Sequence, residues 1–276
     1  MTSFAWLKGH GTENDFVLLP DPDGTVHGDL DPGFVAALCD RRRGLGADGI
    51  LRVVRSTADG GAEWFMDYRN ADGSIAEMCG NGVRVFARYL ADEGLVDTSG
   101  PVPVATRDGI KVVTYEVEPV ETIAIDMGAP RLLGESKVAV DGRSYAARHV
   151  DVGNPHAVAF VDDLADAGTL LVEPQYDTEV YPAGVNIEFV ERRGPQHVAM
   201  RVHERGAGET RSCGTGAVAV ALAAAAADGV DPADGDVTYR VDVLGGTLHI
   251  TWRGDGHAVL AGPAVIIARG DMTWLG

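Results

Sequence analysis

Met78-Cys79-Gly80-Asn81-Gly82-Val83 and Ser212-Cys213-Gly214-Thr215-Gly216-Ala217 carry one signature twice, a cysteine followed by Gly-x-Gly and an apolar run, in a chain of 276 residues. Cys213 follows Cys79 by 134 positions, and the same offset aligns Met66 with Met200, Gly80 with Gly214 and Gly82 with Gly216. A duplicated unit explains this spacing economically. It predicts one site holding two thiols, one from each half.

Around the first cysteine, 4–19 reads as strand, turn and strand, with Gly9-His10-Gly11-Thr12-Glu13-Asn14-Asp15 as a polar loop. Asp31-Pro32 supplies a helix cap and a first-turn proline, after which Phe34, Val35, Leu38 and Cys39 share one helical face, which makes Cys39 a core residue. Strands follow at 49–54 and 63–68, and the polar loop 69–74 leads to Cys79. A helix at 83–90 stops near Gly94, and short Val-rich strands run over 102–125. A domain boundary is expected near Met127-Gly128-Ala129-Pro130.

The second half repeats the scheme. Residues 150–161 carry the turn Gly153-Asn154-Pro155-His156, strands are expected at 185–190 and 198–203, and 204–210 is the matching loop. The matching helix, 217–227, is apolar on every face and should be enclosed by sheet on all sides. Two helix-filled sheet units facing each other are the predicted architecture.

Composition limits the function. With 45% hydrophobic residues the chain can build sizeable cores in two domains of ordinary size. A formal charge of −18 argues against nucleic acid or an anionic membrane as partner, because both demand clustered Lys and Arg. The start, Met1-Thr2-Ser3-Phe4-Ala5-Trp6-Leu7-Lys8, lacks the order of a secretory signal, and the longest apolar run is too short to cross a bilayer. Three cysteines without Cys-x-x-Cys support neither a disulfide framework nor a metal site, and they fit a reducing cytoplasm.

A cysteine at the first turn of a helix lies near unpaired backbone N–H groups and the positive end of the helix dipole, which favour thiolate over thiol. The glycines that follow leave those N–H groups open to a carboxylate. Two such helix ends and two thiols around one carbon suit removal of a proton from one face and delivery to the other. Amino-acid racemisation often recruits pyridoxal phosphate, yet the three lysines, Lys8, Lys111 and Lys137, lie in no phosphate-binding context, so no cofactor is expected. His156 and Glu204 are candidates to tune the thiols.

Taken in order, Asn14-Asp15-Phe16, Asn70-Ala71-Asp72-Gly73-Ser74, Glu77-Met78-Cys79-Gly80-Asn81-Gly82, Gly153-Asn154-Pro155-His156, Gly184-Val185-Asn186, Glu204-Arg205-Gly206-Ala207-Gly208-Glu209-Thr210 and Cys213-Gly214-Thr215-Gly216 closely resemble diaminopimelate epimerases over essentially the whole chain. The resemblance implies conversion of LL-diaminopimelate to the meso form, for lysine and peptidoglycan precursors, without metal or coenzyme. It makes Cys79 and Cys213 the two acid/base residues. Gly80, Asn81, Gly214 and Thr215 would hold the reacting carboxylate, Glu204 and Arg205 would meet amino groups and the distal carboxylate, and Asn14, Asn70, Asn154 and Asn186 would complete recognition.

The resemblance also implies an α/β (α+β) fold of two pseudo-symmetric domains, each a mixed, mostly antiparallel β-sheet wrapped around a central helix, with the active site in the interdomain cleft. The lobes would be 1–126, completed by 264–276, and 127–263, with a final strand near 264–268 returning to the first, and a homodimer is implied. Where Gly49 stands some relatives carry glutamine, so one side-chain contact to substrate is expected to be missing. The competing readings are a proline or hydroxyproline racemase, whose substrate lacks a distal amino-acid head, and a non-enzymatic thiol redox sensor or amino-acid-binding protein.

Overall fold

The computed structural model describes residues 2–57, 60–116 and 122–274. Of the strands expected over 102–125, the part at 117–121 lies outside the described residues. In chain order the first elements are β1 (Thr2–Gly11), β2 (Asn14–Pro20), α1 (Pro32–Cys39), β3 (Gly49–Arg55), β4 (Trp64–Asn70), α2 (Gly80–Asp92), β5 (Val102–Thr106), β6 (Gly109–Glu116) and β7 (Thr122–Asp126). There follow β8 (Arg131–Val140), β9 (Arg143–Asp151), β10 (Pro155–Phe160), β11 (Gln175–Tyr176), β12 (Asn186–Gly194), β13 (His197–Glu204) and β14 (Gly208–Thr210). The last are α3 (Gly214–Ala227), β15 (Val237–Val243), β16 (Gly246–Trp252), β17 (Ala258–Gly262) and β18 (Val265–Trp274). The chain divides into two compact units, Met1–Ile125 with Gly262–Gly276, and Asp126–Ala261.

In the first unit the strands pair in the order β18, β1, β2, β3, β4, β5, β6, β7, antiparallel except at β2–β3 and β4–β5. The second unit repeats the order as β8, β9, β10, β12, β13, β15, β16, β17, parallel only at β10–β12 and β13–β15. A parallel neighbour needs a crossover. In each unit the second crossover is the helix that follows a cysteine, α2 between β4 and β5 and α3 between β13 and β15. Each unit is therefore a mixed sheet with its own helix, the pseudo-symmetric fold that the duplication predicts.

The apolar run Phe16-Val17-Leu18-Leu19 of β2 is completely buried because both faces of its sheet are covered. Val17 and Leu19 join Val35, Leu38, Cys39 and Ile50 in the core under α1. Asp31 caps that helix by accepting from Phe34 N, and Cys39, buried beneath it, has its thiol pushed up to about 11 mainly by desolvation. On α3, every residue from Gly216 to Ala225 is buried, and the helix packs against β9, β10, β12, β13, β15 and β16. Alanine's short side chain lets strands close in from all these directions. Both cysteine-led helices end on the same device: Leu95 N donates to Leu90 O and Gly94 N to Ala91 O, as Val230 N does to Ala225 O and Gly229 N to Ala226 O, with Gly94 and Gly229 at φ +64° and +69°.

Three boundaries differ from expectation. The loop 9–15 is a two-residue turn, Thr12 and Glu13 at φ 49° and 64°, because the flanking polar residues pair across β1–β2. The final strand extends to Trp274, since β1 offers it a partner along its whole length. Within 204–210, Gly208–Thr210 forms a short strand on β13. No described helix is long and apolar enough to cross a membrane.

Candidate active site

Sheet topology collects the predicted residues at one end of each unit. β2 and β3 run parallel and β4 returns, so Asn14 at the start of β2, Gly49 at the start of β3 and Asn70 at the end of β4 share an edge, with Phe16 opposite Gly49 and Gly49 opposite Asn70. In the second unit the same rule gathers Asn154, His156 at the start of β10, Asn186 at the start of β12 and Glu204 at the end of β13.

Cys79 is the N-cap of α2 in extended conformation, and its Sγ lies 3.6 Å from Asn14 Oδ1, which also accepts from Asn81 Nδ2 at 3.2 Å. Asn14 is itself fixed by donating to Asp48 Oδ2 at 2.8 Å. Behind it Arg41 pairs with both Asp15 and Asp48, and Lys8 with Asp15. Burial works against the charge on Asp15, but the hydrogen bonds and charges of Arg41 and Lys8 outweigh it and hold the carboxyl far below its usual range. At Gly82 a Cβ would press on Leu51 at 3.3 Å and meet Cys79 Cβ at ordinary contact distance, 3.5 Å.

Cys213 is likewise the extended N-cap of α3 and is buried; its Sγ accepts from Gly216 N at 3.4 Å and shares a hydrogen bond with Thr215 Oγ1 at 3.5 Å. A buried polar chain runs on from it. Asn154 Nδ2 donates to Thr215 Oγ1 at 3.3 Å, Asn154 Oδ1 meets His156 Nε2 at 3.0 Å, and His156 Nδ1 meets Glu188 Oε1 at 2.6 Å. His156 and Glu188 are fully buried, and Gly216 is required beside them, because a Cβ there would stand 2.8 Å from Glu188 Oε1. Glu204 accepts from Thr210 Oγ1 and lies against Cys213; burial, with Glu188 nearby, raises its carboxyl pKa.

At Cys213 burial and nearby carboxyls work against the helix N-terminus. Desolvation, then the charges of Glu204 and Glu188, push its thiol well above the ordinary value, and the hydrogen bonds from Thr215 and Gly216 N only partly offset them.

Other predicted residues fall as follows. Asn186 Nδ2 donates to Pro155 O at 3.2 Å while its Oδ1 accepts from Arg205 N at 3.0 Å, so this asparagine anchors the backbone that carries Arg205. Arg205 is exposed, its stem lies over Gly184 and one guanidinium N–H donates to Ala183 O at 2.9 Å. Asn70 Nδ2 donates to Ser74 Oγ at 2.9 Å, closing its own turn. Gly49 has no room for any side chain, as a Cβ would meet Arg69 O at 2.5 Å, so this backbone itself excludes a glutamine there. Sequence reasoning passed over Glu188, Arg84 and Asp48. Glu188 was detectable as the only charged residue in the apolar run 185–190, and Arg84 as a cation flanked by Val83 and Val85.

Two like-folded units, each with a cysteine at the head of its crossover helix, define the class of two-domain, internally duplicated α/β folds. Solved structures share this fold. A PhzF-family phenazine biosynthesis protein from Bacillus anthracis superposes with TM-score 0.74 at 16% identity, covering 99% of this chain and 100% of that one. A hydroxyproline epimerase from Agrobacterium vitis gives 0.69 at 16% identity, covering 98% and 92%. A family model for diaminopimelate epimerase matches residues 6–133 and 148–267, and the chain belongs to that family. It is 58% identical over 287 residues to the diaminopimelate epimerase of Streptomyces coelicolor, spanning 99% of this chain and 98% of the relative. Against that of Corynebacterium glutamicum it is 46% identical over 277 residues, spanning 97% of each. The protein is a cofactor-independent isomerase of diaminopimelate.

Proposed function

We propose that Cys79 and Cys213 are the two bases of this epimerisation, each serving one face of the same α-carbon of LL- or meso-diaminopimelate. The observation that carries the reading is the duplicated placement: in each unit a cysteine is the N-cap residue of the crossover helix, at the sheet end where the asparagines gather. One cysteine, as thiolate, takes the α-proton; the other, as thiol, delivers its proton to the opposite face, so the pair ends with its protons exchanged and the carbon inverted. The α-proton is a weak acid, and the charge that grows on the carboxylate needs oriented donors in a water-poor site. The helix-start N–H groups at Gly80, Asn81, Gly214 and Thr215 are assigned that task, since first-turn N–H groups have no intrahelical acceptor.

Recognition of the non-reacting end falls to Arg205, Glu204, Asn14, Asn70, Asn154 and Asn186. Exposed Arg205 suits a carboxylate through its planar fork, and Glu204 suits an ammonium group. His156, through Asn154 and Thr215, and Glu204 directly, tune Cys213. The reaction supplies lysine and peptidoglycan precursors, and its setting is the cytoplasm.

Purified protein given LL-diaminopimelate in deuterated water, without coenzyme, is expected to form the meso isomer with one solvent deuterium at the inverted carbon, and to leave proline untouched. Inversion with retention of the original hydrogen, or activity on proline alone, would sink the two-base assignment. Homodimerisation is supported by β18, which has no second partner strand among the described residues and exposes Val265 and Ile267. Sedimentation should give about twice the chain mass of 29.0 kDa; a species of single mass at all concentrations refutes the dimer.

A further inference from the structure

Arg84 lies on α2 five residues beyond Cys79, and its side chain is wholly buried. Its Nη2 donates to Thr12 Oγ1 at 3.3 Å and its Nε to Pro263 O at 3.4 Å, while Nη1 has no partner. No carboxylate among the described residues pairs with it. A guanidinium stays charged at neutral pH, and a buried charge without a counter-ion is costly, the more so near the positive end of a helix.

The backbone is nonetheless shaped to hold it. Gly11 makes space, since a Cβ there would come 2.9 Å from Nη2, and Thr12 adopts φ 49°, rare for a β-branched residue, in the turn from which it accepts the guanidinium. The same short turn reaches Cys79 through Asn14. One hairpin tip therefore clips the cation with Thr12 and the sulfur with Asn14.

The other ionisable groups around this helix start are accounted for. Asp15 and Asp48 are matched by Lys8 and Arg41, His10 accepts from Glu13 N, and Glu77 is exposed. Burial brings the Arg84 pKa down to about 10, and negative charge on Cys79 opposes that shift. Around Cys213 the neighbouring ionisable groups are acidic, the carboxyls of Glu188 and Glu204, which oppose a thiolate there.

We propose that Arg84 is a positioning residue that sets the resting proton distribution of the thiol pair, holding Cys79 as thiolate while the glutamates keep Cys213 as thiol. The inference rests on the two-thiol reading above. It means that the free enzyme is primed for the substrate isomer whose proton faces Cys79, and that each turnover in that direction leaves the pair in its disfavoured arrangement.

The test is the pH dependence of iodoacetamide alkylation at each cysteine, followed by peptide mass spectrometry. In the unaltered enzyme Cys79 is expected to titrate below the ordinary thiol value of about 8.5 and Cys213 above it. In Arg84→Met the Cys79 titration should move up by a unit or more, cutting its alkylation at pH 7 about threefold or more, with Cys213 unmoved and the charge-keeping Arg84→Lys close to the unaltered enzyme. Cys79 titrating at or above the ordinary value in the unaltered enzyme overturns the proposal even if Arg84→Met does not fold. So does a folded Arg84→Met with an unchanged profile. Failure of the underlying two-thiol reading looks different: Cys79→Ala would then still invert diaminopimelate, whatever the titrations show.

Discussion

Cys79→Ala and Cys213→Ala each lower epimerisation of diaminopimelate by roughly 10²–10⁴-fold, the range expected when a positioned acid or base is removed. The loss should have a particular shape. With two bases on opposite faces, the surviving thiol can still take and return a proton on its own side. Each variant is therefore expected to wash solvent deuterium into one isomer without inverting it, and the two variants should favour opposite isomers. Chiral chromatography with mass spectrometry reads both quantities together. If one variant lost exchange with both isomers and the other lost neither, a single cysteine would be doing all the chemistry.

His156→Ala is expected to destabilise the protein by about 1–3 kcal/mol, the range for leaving a buried polar group without its hydrogen-bond partner. Glu188 Oε2 has no hydrogen-bond partner, and the Oε1 contact with His156 at 2.6 Å is what its carboxyl has in a fully buried position. Without the ring that carboxyl is left beside Cys213 with nothing to answer it. Urea unfolding should show a lower midpoint at an unchanged slope. Adding Glu188→Gln should return part of the loss, because an amide that stays neutral is cheaper to leave unpaired in a buried site than a group that can ionise. A cost below about 1 kcal/mol, as for exposed pairs, would mean that water reaches Glu188.

Much of this was readable from residues because the decisive features are local or repeated. A cysteine ahead of Gly-x-Gly marks a helix start wherever it stands, and two copies at one offset imply two copies of a sheet, which is the strand order found. The all-apolar run 217–227 announced a helix without a solvent face. What escaped depends on partners far off in sequence. Glu188 matters because β10, next to it in the sheet, carries His156. Arg84 matters because a turn more than 70 residues earlier closes over it. Gly49 read as a missing contact, whereas the carbonyl of Arg69 on the adjacent strand leaves no place for a side chain. The environment of Cys213 was not fully legible either, since its burial and the carboxyls of Glu204 and Glu188 come from separate strands.

Helix α3 has no wet side: from Gly216 to Ala225 it is walled in by strands. A rod so enclosed cannot fray, tilt or slide without opening the surrounding sheet, and Cys213 is fastened to its head. Heat should therefore silence the enzyme and erase its circular-dichroism signal along a single curve, with no warm, folded yet inactive form in between.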